Sequence, residues 1–254
     1  MNEELWRKEF SFDDFSPPFP CPRCSSKLRL RKDTLKVLET GYSKAARATP
    51  DWEPDWSTQR FVCFLECGNN SCTEIIAVSG ETGTQEKFIK EVNTWGMVST
   101  LLPKSLFPAP PIIAVSKKLS DVTSTHLWAS FGLFWSDEAS AANRLRVAVE
   151  SLLDDLNIPK TTINTKKKRV PLSLASRIDK LEAKKKGHKD ALDALRWIGN
   201  HASHSGMTST EVLLAGFELF EGVVAELIDK KSAAKAAMAK LLIKSKGKTK
   251  SSST

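Results

Sequence analysis

Residues Lys189–Gly206 read KDALDALRWIGNHASHSG. Leu192, Leu195 and Ile198 recur at three-residue steps, the spacing that gathers apolar side chains on one stripe of an α-helix. After Ile198 the composition changes. Gly199, Asn200, His201, His204 and Ser205 are weak helix formers that carry hydrogen-bonding or titratable groups. The stretch predicts a helix over about 189–203, with an apolar side that needs other helices and a polar turn bearing histidines at its end. Such an end presents functional groups on a rigid support, and Arg196 lies within two turns of both histidines.

The flanking sequence supplies the partners. DVTSTHLWASFGLFW (121–135) is one amphipathic run. Ser136 is placed to cap the next, DEASAANRLRVAVESLLDDL (137–156), which stops near Asn157-Ile158-Pro159. Residues 159–170 read as a basic loop containing KKKR, and LSLASRIDKLEA as a short helix near 172–183. On the other side, Thr208 and Glu211 have capping-box spacing for a last long helix over 209–230. Four substantial helices of this kind close into a bundle, with the short one at its edge. The lysine-rich tail, 231–254, extends the last helix before fraying, and its last ten residues are expected to be disordered.

The first third has a different character. All five cysteines, Cys21, Cys24, Cys63, Cys67 and Cys72, fall there. Cys21 and Cys24 bracket a Pro-Arg knuckle, and Cys67 and Cys72 bracket a Gly-Asn-Asn turn between two strand-like runs. A CxxC pair followed by a second knuckle is the spacing of a zinc ribbon, four thiolates in a tetrahedron with no vacant position. Cys63 shares a strand face with Cys67 by period-two counting. It is either a buried thiol or a replacement for Cys67; the turn position favours Cys67. The fold class read from the sequence is therefore α+β, mostly α: an N-terminal arm (1–16, with Trp6, Phe10, Phe12 and Phe15), a small zinc ribbon (17–79), a connector (80–118), a helical bundle (119–230) and the tail. In the connector, GETGTQEK lacks phosphate-loop spacing and reads as a turn. LLPKSLFPAPPII is proline-rich and is expected to run extended across a surface.

The net charge of +8 is unevenly placed. Residues 230–254 hold eight lysines and no acid, so the rest of the chain is near neutral, while residues 160–190 hold eleven basic and three acidic side chains. Polycations bind phosphate backbones by releasing counterions, without sequence preference. A membrane span needs roughly 20 apolar residues, and neither such a run nor a secretory leader is present, so a cytoplasmic protein with no membrane contact is expected.

The order of a CPxC knuckle, a second knuckle, a PKSLFPAPP connector, a helix with RVAVE and then LRWIGNHASHSG resembles the bacterial family called domain of unknown function 4145, over about residues 17–225. Arg146 and Glu150 of RVAVE match its arginine-to-glutamate motif. Arg196, Gly199, Asn200 and His204 match its glycine-asparagine-to-histidine motif. The family is similar to the HEPN helical bundles, many of which are metal-independent endoribonucleases of phage defence and toxin–antitoxin systems. Their motif is an arginine, four to six residues and a histidine, usually with a polar residue after the arginine. Arg196 and His201 fit that spacing, Arg196 and His204 exceed it, and Trp197 stands at the polar position.

The resemblance implies an RNA-directed homodimer in which Arg196, Asn200, His201 and His204 form a catalytic site and Cys21, Cys24, Cys67 and Cys72 hold structural Zn2+. The chemistry is consistent. Histidine titrates near neutrality and can take or give a proton, and arginine can hold the scissile phosphate. The other expectation is a non-catalytic adaptor or regulator that docks a partner protein and nucleic acid.

Overall fold

In the computed structural model, residues 3–6, 8–11, 19–53, 56–89 and 93–246 are described. Phe12 and Phe15 of the arm, and the end of the tail beyond residue 246, lie outside them. The N-terminal part is one antiparallel sheet of β1 (Phe10–Ser11), β2 (Leu28–Glu39), β3 (Gln59–Cys67), β4 (Ile75–Ile89) and β5 (Thr94–Phe107), in the order β1-β5-β4-β3-β2. A short helix, α1 (Gly41–Ala46), links β2 to β3. Along β3, Phe61, Cys63, Leu65 and Cys67 are buried and the residues between them face outward, the alternation of a sheet covered on one side.

The expected connector is mostly part of this sheet. Residues 80–87 are not a turn but the middle of β4, and Pro103 lies within β5. The glycines that suggested a turn answer a different need. A Cβ on Gly80 would lie 2.2 Å from the Leu102 carbonyl oxygen, and one on Gly83 would lie 2.7 Å from Leu102 Cδ1. Gly80 also sits where the β4–β5 register shifts, and glycine in a strand marks such a bulge or a close approach. After β5 the chain is irregular, bending at Pro108, Ile112 and Ile113, and is tied to the last bundle helix and the residues after it. Ala114 N–H donates to Glu221 at 3.0 Å and Ser116 Oγ to Asp229 at 2.6 Å.

The rest is helical: α2 (Asp121–Ser136), α3 (Glu138–Asp155), α4 (Leu174–Lys184), α5 (Lys189–Ser205), α6 (Thr210–Leu227) and α7 (Lys231–Lys244). Helix α3 buries Ala142, Leu145, Val149 and Leu152 and touches α2, α4, α5 and α6. Facing it are Phe131 and Phe134 of α2, Leu192 and Leu195 of α5, and Phe217 and Phe220 of α6, all at most 1% exposed. The caps differ by one residue from the expected ones. Asp137, not Ser136, accepts the Ser140 N–H at 2.9 Å, and Ser209, not Thr208, accepts that of Val212 at 3.3 Å. The basic loop is a small hairpin of β6 (Thr161–Ile163) and β7 (Arg169–Pro171), its tip folded around the Asn164 side chain. The tail does not continue α6. Lys230 takes a left-handed φ of 56° and α7 starts anew, with no buried residue.

Sheet and bundle share one core. Phe19, just before the first knuckle, stacks on Trp6 (5.5 Å between centroids) and meets Trp135 of α2 edge-on (5.1 Å). Lys8 pairs with Glu138, and its ammonium lies 4.5 Å from the centre of the Phe134 ring. The arm thus packs on a neighbouring surface, formed by β5 and the junction of α2 with α3.

The start of α5 is capped from another helix. Its N-cap, His188, makes no side-chain cap. The Glu182 carboxylate instead accepts the N–H groups of Gly187 (2.8 Å), His188 (3.1 Å) and Lys189 (3.0 Å). These backbone donors, Gly187 first, hold its pKa below the ordinary carboxylate value. A depressed pKa gives stability that is present above the unfolded value of about 4.3 and lost as pH falls through the folded value. Hydrogen exchange between about pH 6 and pH 3 should therefore show Gly187–Lys189 losing protection at the acid end. Glu182→Gln should remove that dependence; a variant that kept it would show that another group caps α5.

Candidate metal centre and the α5 surface

The two knuckles meet at one end of the sheet. The first lies in the turn before β2 and the second joins β3 to β4. The sulfurs of Cys21, Cys24, Cys67 and Cys72 all lie within 4.8 Å of one another. Cys21 and Cys72 are 3.8 Å apart, Cys24 and Cys67 3.4 Å. A tetrahedron with metal–sulfur bonds of 2.3 Å has edges of about 3.8 Å, so the cluster has the size that a metal ion requires. The backbone prepares it in the same way on both sides. Arg23 N–H points to Cys21 Sγ and Asn69 N–H to Cys67 Sγ, each at 3.4 Å. The residue after each second cysteine is left-handed, Ser25 at φ 62° and Thr73 at φ 50°. For a β-branched threonine that conformation is costly, and it turns the chain so that both sulfurs point inward.

The thiols differ in environment. Hydrogen bonds from Ser26 lower Cys24, the most open of the four, to about 6, and burial pushes Cys67 up to about 12. A cation among them favours all four as thiolates. Cys63 is 2% exposed on the core face, and burial raises it to about 12. It is the buried thiol, and Cys67 is the member of the cluster. The contribution of Asn69 was not foreseen: its side-chain amide also reaches Cys24 Sγ at 3.8 Å. The only sequence signal was the Gly-Asn-Asn turn.

The second group of candidates lies along α5, which continues through both histidines and ends at Gly206, φ 70°. The polar residues are therefore in the last turns of the helix, not in a turn beyond it. Gly199 does not end it, because it packs: a Cβ there would lie 2.5 Å from Arg146 Cβ and 3.1 Å from the Ala142 carbonyl oxygen. Only glycine lets α5 lie this close to α3. Arg146 and Glu150 form the expected pair one turn apart, 2.6 Å, on that facing helix.

Around the helix axis the candidates divide. At about 100° per residue, His204 is roughly 80° from Arg196 and His201 roughly 140° from it. Arg196 and Asn200 are half-buried on the flank beside Gly199 and α3. Trp197 (61% exposed), His201 and His204 face solvent. His201 lies towards the flank where Ile198 approaches Gly216 of α6. Arg196 Nε donates to Asp193 at 2.8 Å, and the guanidinium sits 4.5 Å from the centre of the Trp197 ring. Arg196, Asn200 and His204 thus share one side of α5, while His201 turns away from it.

Among the described residues no helix is long and apolar enough to cross a membrane. Comparison with curated proteins and with solved structures gave no match. Two family models do match. Residues 8–100, essentially the sheet and its knuckles, match one described as Domain of unknown function (DUF8608). Residues 129–245 match one described as Domain of unknown function (DUF4145). The second match covers the bundle alone, a shorter span than the resemblance drawn from the sequence. Through its helical part, residues 129–245, the chain is similar to the domain of unknown function 4145 family, the one its sequence resembles.

Proposed function

We propose that the protein acts on RNA, with the solvent-facing side of α5 as its working surface and Zn2+ in the four-cysteine centre as a structural support. The observation that carries the reading is the row of Arg196, Asn200 and His204 along one side of a helix that Gly199, on the flank next to Arg196, locks to α3. A guanidinium, an amide and an imidazole on a rigid support are groups that hold a phosphodiester and exchange protons with it. The donor set favours zinc, since four thiolates in a tetrahedron suit it and leave no open position for substrate.

Cleavage at such a site needs no metal. One imidazole takes the proton of the 2′-hydroxyl, whose oxygen attacks the phosphorus. A second protonates the departing 5′-oxygen while Arg196 balances the added negative charge. The products are a 2′,3′-cyclic phosphate and a 5′-hydroxyl. His201 points away from Arg196 of its own chain, which supports a site completed by a second copy. A second reading, a docking surface that binds without cutting, is favoured by the engagement of Arg196 with Asp193 and by the exposed Trp197.

The test is incubation of end-labelled tRNA and total RNA with purified protein in magnesium-free buffer, beside Arg196→Ala/His204→Ala and His201→Ala variants. Cyclic-phosphate ends whose rate of appearance falls about 10²-fold or more in the variants support the nuclease. Binding without cleavage by all three proteins supports the docking surface. Neither binding nor cleavage by the parent rejects an RNA role.

A further inference from the structure

The five-stranded sheet is covered by helices on one face only, and its open face is not the polar surface that a solvated sheet carries. Phe64 is 45% exposed and Phe107 77%. They lie in one cross-strand row, Phe64 opposite Ala77 and Ala77 opposite Phe107. Two strand spacings separate them by about 10 Å, so two rings stand as posts over a floor formed by one small residue. Val62 and Ile75 widen the apolar floor.

Beside this row runs a basic edge. Arg31 pairs with Phe64 and Lys36 with Val62 in the β2–β3 register, and Arg29 lies opposite Glu66. Of the nearby carboxylates, Glu81 is engaged by Arg60 and Lys104, both at 3.2 Å, and Asp33 by Arg31 at 3.5 Å, while Glu66 stands beside Arg29 and offsets part of its charge. Among the described residues Arg29 and Lys36 have no ion pair. Basic side chains on an edge strand discourage pairing with other sheets, but that role requires no exposed phenylalanines. At the far end of the row a hollow of about 370 Å³ opens between β5 and α2, lined by Phe107, Pro108, Trp128 and Gly132. It is apolar and has room for one planar ring.

Positive charge along an edge, stackable rings at strand intervals and a ring-sized hollow at the end are the elements that hold a single-stranded nucleic acid. We infer that the open face of the sheet binds single-stranded RNA. Phe64 and Phe107 stack on bases, Arg29, Arg31 and Lys36 hold phosphates, and the hollow by Trp128 receives one base. A duplex, whose bases are already stacked inside, cannot use the rings. The inference rests on the proposal that the protein acts on RNA, and it assigns the strand to a surface apart from α5.

The experiment is fluorescence anisotropy with the full chain, a labelled 12-nucleotide single-stranded RNA of mixed sequence and a duplex of the same sequence. Phe64→Ala/Phe107→Ala should lower single-strand affinity at least about tenfold and leave duplex affinity unchanged. Both side chains are exposed, so the variant should keep the parent's circular dichroism and metal content. Arg29→Ala/Arg31→Ala/Lys36→Ala should reduce the slope of log affinity against log salt by roughly 2. If the parent binds RNA and the phenylalanine variant binds equally well, the sheet inference falls and the RNA reading stands. If the parent binds no RNA, both fall and the face is left to a protein partner.

Discussion

Replacing Cys67 by serine should prevent metal binding at the four-cysteine cluster and unfold the N-terminal sheet. Cys67 holds one corner of the cluster, 3.4 Å from Cys24, and ends the β3 strand that pairs with both β2 and β4. Binding free energies of structural zinc sites are on the order of 10 kcal/mol, expressed largely as folding free energy. A lost thiolate also leaves the left-handed turns at Ser25 and Thr73 without the cross-link that offsets their strain. Cys63→Ser is the control. That thiol is buried beside Phe61 and Leu65 on the same strand, outside the cluster, so the change should cost about 1–3 kcal/mol for an unpaired hydroxyl and keep the metal. Metal content and urea unfolding separate the cases. Full metal content in Cys67→Ser, or its loss in Cys63→Ser, would show that the ligand set is wrong.

The second large effect is expected at Arg177, in the first turn of α4. Its guanidinium is almost fully buried and donates to the Asp154 carboxylate (2.6 Å) and to the carbonyl oxygens of Glu150 (3.2 Å) and Ile158 (3.1 Å). It ties α4 to the end of α3 and to the chain that leaves it. Arg177→Met fits the space but leaves the Ile158 carbonyl unpaired and Asp154 short of its inner partner, a loss of about 3–5 kcal/mol by analogy with broken buried pairs. Lys160 meets the same carboxylate from outside at 2.8 Å with its side chain 69% exposed, so Lys160→Ala should cost less than about 1 kcal/mol. Equal midpoints in urea for the two variants would refute the hub.

What could be read in the sequence was what depends on near neighbours. The periods of α3, α5 and α6 appear in the apolar spacing because each buries one side against the same core, whereas α2, expected to be amphipathic, is apolar nearly all round. The two knuckles could be read because a tetrahedral thiolate site demands short, fixed spacings. The misreadings arose where a distant residue decides. Gly80 looked like a turn because its reason for being glycine is the Leu102 carbonyl on the next strand. Gly199 stands inside the helix expected over 189–203, but the neighbour that requires a glycine there, Arg146 on α3, lies far from it in the sequence. The open sheet face could not be foreseen either. Period-two counting assigns Phe64 to one side of β3 without saying which side the helices cover. For α5 the residue types could be read, but their separation around the axis only became meaningful once Gly199 fixed which side faces α3.

The aromatic seam of Trp6, Phe19 and Trp135 bears on how such a chain can be inherited. The two family models divide the protein into what look like exchangeable modules. Yet Phe19 lies beside the first knuckle and Trp135 at the end of α2, and each is at most 2% exposed with the other's ring packed edge-on against it. A recombination event that separated the two halves would leave an aromatic surface bare on each. The pair is therefore expected to travel together through evolution, with substitutions on one side of the seam compensated on the other.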